Sequence, residues 1–98
     1  MFAASRMKDE LNNLKDMLPG DHPAPVVKDD VDEMRFEIFN EFMDHHEFEI
    51  ALDGLIYIAE CHIDFGNKVQ SGFWEKAAKI AKKMEMYETE KLCNGYTV

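Results

Sequence analysis

Residues 44–62 read DHHEFEIALDGLIYIAECH, and how this stretch folds decides the reading of the whole chain. Phe48, Leu52, Leu55 and Ala59 recur at steps of three and four residues, the period of an α-helix. Ile50, Tyr57 and Cys61 fall on the opposite side. A helix apolar nearly all round belongs at the centre of a bundle. Asp44 followed by Glu47 has the spacing of a capping box and predicts a break at 44–46; one helix running through that point is the alternative. The helix is expected to end near His62, with the turn D64-F65-G66-N67 after it.

Working outward, Val31, Met34, Ile38 and Phe42 form one apolar stripe, widened by Phe36, Phe39 and Met43. Asp30 followed by Glu33 repeats the capping-box spacing, and the helix is expected to run to about Met43. Upstream, P19-G20-D21-H22-P23-A24-P25 interrupts any helix, because proline lacks the amide donor and fixes its own φ. Before it, Met7, Leu11, Leu14 and Leu18 predict a helix from about Ala4 to Leu18. Downstream, Ser71 or Gly72 is expected to cap a helix over F73-W74-E75-K76-A77-A78-K79-I80-A81-K82-K83-M84. There Ala77, Ala78 and Ala81 allow close packing, and Lys79, Lys82 and Lys83 suit the carboxyl end of the dipole. The expectation is an all-α fold, a small four-helix (or five-helix) bundle forming a single domain over 1–98. It comprises an N-terminal helix (1–18), a Pro/Gly linker (19–28), core helices (29–87) and a C-terminal tail (88–98). Phe36, Phe39, Phe42, Phe48, Phe73 and Trp74 are expected in the core, with Trp74 sealing one end, while Tyr57 serves the surface through its hydroxyl.

With 46% hydrophobic residues in 98, the chain is too apolar for a disordered segment, despite 32% charged residues. Its longest apolar run, L55-I56-Y57-I58-A59, is far short of a membrane span. The first ten residues turn acidic before any apolar stretch develops, so no signal peptide is expected. Cys61 and Cys93 then read as reduced thiols of a cytoplasmic protein.

Ligand sets are not apparent. His45 and His46 are neighbours and diverge by about 100° on a helix. Cys61-His62 lacks a second pair at zinc-like spacing, and a calcium loop counted from Asp30 has Arg35 where glycine is needed. No nucleophile elbow, phosphate loop or dinucleotide fingerprint occurs, so neither an enzyme nor a cofactor is expected.

Charge is the informative feature. The net charge is −9, and between Asp29 and Asp64 there are twelve acids against one base, Arg35. Glu33, Glu37 and Glu41 recur every four residues, and each like-charged pair costs a helix about 0.2–0.5 kcal/mol. Asp44 and Glu47 follow, and Glu49, Asp53, Glu60 and Asp64 add a second acidic edge beside Tyr57. Such a surface repels nucleic acid and anionic lipid and attracts a basic protein. These ten residues are the expected partner-binding set.

The stretch H46-E47-F48-E49-I50-A51-L52-D53-G54-L55, with the lysine-rich helix 73–84 after it, resembles small helical immunity proteins of bacterial polymorphic toxin systems. The likeness is to MafI-type proteins and to the CdiI-type proteins of contact-dependent growth inhibition. It is carried by Glu47, Phe48, Glu49, Ala51, Leu52 and Leu55, then by Trp74, Ala77, Ala78, Ala81 and Met84. It covers 36–84, without counterpart for the first helix and linker. The resemblance implies neutralisation of a cognate toxin, often an RNase and in several cases of the EndoU type. The charge pattern leads separately to the same place, because a nuclease groove must be basic to hold phosphates. An acidic helical adaptor binding another basic protein, with a possible homodimer through Ile50 and Tyr57, is the alternative; a small enzyme using the carboxylates is a third reading.

Overall fold

The computed structural model describes residues 4–23 and 34–97, and these are all-helical: five helices and no strand. They are α1 (Ala4–Asp16), α2 (Phe36–Asp44), α3 (Phe48–Asp64), α4 (Ser71–Lys83) and α5 (Tyr87–Gly95). The tail expected at 88–98 is instead mostly helix, the fifth of the bundle. The radius of gyration of 13.0 Å is that of a compact chain of about 100 residues.

α3 is central, as its all-round apolarity predicts. It buries Ala51, Leu52, Gly54, Leu55, Ile56, Ile58, Ala59 and His62, and packs against α1, α2 and α4. α1 brings Met7, Leu11 and Leu14, with Leu18 just beyond its end; α4 brings Phe73, Trp74, Ala77, Ala78, Ile80 and Ala81. α5 lies on α4 and contributes Cys93. The stripe on α2 is centred on Phe39 and Met43, which are buried, whereas Ile38 and Phe42 lie at its edge. Phe36, Phe42 and Phe48 are half-buried against the core.

The break at 44–46 is real, but its cause is not a capping box. Asp44 is the last residue of α2, and Glu47 occupies the N-cap position of α3 without a side-chain cap bond. The chain turns by a Schellman motif: Glu47 N–H donates to the Phe42 carbonyl (2.8 Å), His46 N–H donates to that of Met43 (3.1 Å), and His46 has φ 56°. The same pair of bonds closes α3 around Gly66 (φ 83°) and α4 around Glu85 (φ 59°). Gln70, not Ser71 or Gly72, precedes α4, also without a side-chain cap bond. The box expected from Asp30 and Glu33 lies outside the described residues.

Two of the three left-handed positions are therefore not glycine, and a Cβ there meets the following carbonyl. Glu85→Gly is expected to stabilise the fold by about 0.5–1 kcal/mol, the relief of strain exceeding the entropy that glycine adds to the unfolded chain. His46→Gly should gain less, because His46 stacks on Phe48 (centroids 5.5 Å, 20° between planes) and that contact is lost. Urea midpoints of the two variants check this order; a lower midpoint for Glu85→Gly would exclude strain at that turn.

The linker is tied down where it is described. Asp21 Oδ1 accepts the Phe36 amide (2.9 Å), capping α2 from fifteen residues upstream. His62 is buried: its Nε2–H donates to the Gly20 carbonyl (2.9 Å), which leaves Nδ1 to accept from the Asn67 side-chain amide (3.0 Å). Lys15 reaches over the rings of Phe36 and Phe39, joining the end of α1 to α2. Among the described residues, no helix is long and apolar enough to cross a membrane.

Candidate functional site: the acidic surface

α2 buries Phe39 and Met43, and so turns Glu37, Glu41 and Asp44 outward along one edge. Their spacing of four and then three residues keeps them on that edge. The edge runs to the α2–α3 turn, where Glu47 and Glu49 are also exposed. Among the described residues, none of these five carboxylates is paired with a cation, and the salt bridge present, Lys83 to Glu10 (2.6 Å), lies between α4 and α1. Glu33 lies outside the described residues.

The remaining members follow the solvent-facing stripe of α3, at positions 49, 53, 57, 60 and 64. The structure partly closes this stripe, for a reason the sequence reading missed. α5 reaches it with Thr89, whose hydroxyl donates to Asp53 Oδ1 (3.5 Å), and with Tyr96, whose hydroxyl donates to Glu60 Oε2 (3.0 Å). Burial first, then repulsion from Glu49, raises the Asp53 carboxyl above its ordinary value, while the Thr89 bond opposes the rise. Tyr96 is likewise raised, by desolvation first and then by Glu60. Tyr57 is half-exposed with its ring 6.0 Å from that of His22. Asp64 is exposed at the end of α3.

Cys93 sits below the two engaged carboxylates. Burial, Glu60 and Asp53 push its thiol up to about 11, which favours the protonated form at neutral pH. Cys61 is half-buried, and neither cysteine is in a disulfide. Among the described residues, no group of three His, Cys, Asp or Glu side chains is arranged to hold a metal ion.

Tyr96 and Thr89 were legible only weakly. Glu88 and Glu90 in a first turn and Gly95 at the exit are helix signals, but α5 buries a single residue, Cys93, and has no apolar stripe to read. No protein-family model, curated protein or solved structure matches the chain.

Proposed function

We propose that this chain is an immunity-type protein that binds and neutralises a cognate toxin nuclease domain, an RNase, with the EndoU type as the narrower form of that reading. It occludes the basic active-site groove with an acidic helical face and does no chemistry itself. The supporting observation is the run Glu37, Glu41, Asp44, Glu47 and Glu49, exposed and without cation partners among the described residues. Glu37, Glu47 and Glu49 stand at helix amino ends, which suit a negative charge, but the placement of Glu41 and Asp44 is unfavourable for the isolated fold. Glu37 and Glu41 repel across one helical turn, and Asp44 and Asp64 stand at helix carboxyl ends, where a negative charge costs about 0.3–1 kcal/mol. Solubility alone does not call for an acid at a carboxyl end or for like charges one turn apart. A negative field concentrated on one edge steers a basic partner into encounter. The protein would act in the cytoplasm, beside the target of the toxin.

Capture of partners by the tagged full chain, from cells carrying its native locus, tests this. Recovery of a basic nuclease domain whose RNA cleavage stops when this chain is added supports the reading. A nuclease that keeps cutting at saturation, or a basic partner with no nuclease activity, favours the acidic adaptor instead.

A further inference from the structure

The Schellman turns after α2 and α4 border one recess of about 460 Å³. Among the described residues, both non-glycine positions held at positive φ, His46 and Glu85, line it. Its apolar wall is Phe48, Ile50 and Met84, with Ile50 51% exposed although it is a large aliphatic residue on the central helix. Glu47, Glu49 and Glu85 stand around that wall, all exposed. Lys83 also borders the recess, but its ammonium is held by Glu10 at 2.6 Å. The helix ends do not set the sign of the field there, because α2 and α4 finish at the recess while α3 and α5 begin within two residues of its turns. The side chains set it, and three carboxylates remain unmatched.

An apolar wall under a negative rim fits a long side chain with an aliphatic stem and a cationic head. The stem covers Phe48, Ile50 and Met84, and the head meets the carboxylates, whose geometry suits the forked donors of a guanidinium. We infer that this recess is an anchor site for one protruding arginine of a basic protein partner. Only the source of that arginine, the toxin domain, rests on the function proposed above. Buried arginines in fitted pockets commonly dominate the binding energy of an interface, so a single recess can matter more than the rest of an acidic face.

The test uses Nα-acetyl-arginine methylamide as probe, with its uncharged isostere, the citrulline derivative, as control. Backbone amide shifts in the full chain are followed by NMR during titration into the millimolar range expected for so small a ligand. Saturable shifts should appear at residues 46–50 and 84–85 with the arginine derivative and be absent with citrulline. Replacing Glu47, Glu49 and Glu85 together by glutamine should weaken the probe at least about tenfold, the loss of 1.4 kcal/mol or more across the charge-assisted contacts. Glu75→Gln, exposed on α4 and outside the lining of the recess, should leave it unchanged. Equal shifts with citrulline, shifts of equal size along α2, or wild-type binding by the triple variant would overturn the site. If the probe seats here but no nuclease is captured from cells, the immunity reading fails alone. If a nuclease is captured equally by wild type and triple variant, the recess fails alone.

Discussion

Trp74→Ala is expected to cost about 3–5 kcal/mol, the range for deleting a buried indole, against a total of about 5–15 kcal/mol for a domain. Trp74 is 2% exposed. Its ring meets Phe73 edge-on (5.0 Å, 88°) and stacks face to face on Tyr96 (4.0 Å, 11°). The loss is therefore not only a cavity. α5 packs chiefly on α4, and Tyr96 is its aromatic hold there, so the variant should also free α5 and with it the bonds from Thr89 to Asp53 and from Tyr96 to Glu60. Tyr96→Ala removes the stack and one hydrogen bond while leaving the core filled, and should cost about 1–2 kcal/mol. Denaturant unfolding measures both. A Trp74→Ala variant within 1 kcal/mol of wild type by the same measurement would mean the indole does not fill the core.

If the proposed function holds, reversing Glu37 and Glu41 to lysine is expected to slow association with the basic partner about 10- to 1,000-fold at low salt, the span that electrostatic steering covers. Both positions are exposed and lysine is a good helix former, so the fold should be retained, with two lysines repelling across the turn about as the two glutamates do. Stopped-flow association at increasing salt reads the effect directly, since screening removes long-range attraction first. The wild-type rate should fall steeply with salt, and the reversed protein should depend on it little. The α3 stripe calls for different handling. Glu49 is free to be reversed, but changing Asp53 or Glu60 also breaks bonds to α5, so loss of binding there would mix docking with folding. If the α2 and Glu49 reversals associate as fast and as tightly as wild type, the acidic run only keeps the protein in solution.

Helical period alone located α1, α3 and α4, because each presents several apolar residues at three- and four-residue steps; Met7, Leu11, Leu14 and Leu18 are all buried as their spacing requires. Helix ends were less legible. Asp44 and Glu47 carry the letters of an amino-terminal cap, yet six-residue carboxyl-terminal turns through His46 and Glu85 form there and after α4, with neither glycine to advertise them. The buried role of His62 depended on Gly20, forty-two residues away, which no local pattern contains. For the acidic surface, exposure followed from the apolar stripes. The engagement of Asp53 and Glu60 did not, because it depends on a helix with one buried residue.

The three identical turns bear on the order in which the chain assembles. Each reversal from α2 to α5 is closed by backbone bonds spanning only three to five residues, so these four helices can align before any distant segments meet. α1 has no such neighbour: it packs on α3 and α4, which are distant in sequence, and its contacts carry the largest loop-closure entropy. We expect a transition state built from α3 and α4 with α1 still detached. Leu11→Ala should then speed unfolding and leave the folding rate nearly unchanged, whereas Leu55→Ala should slow folding. A slowed folding rate for Leu11→Ala would place α1 in the nucleus and reverse that order.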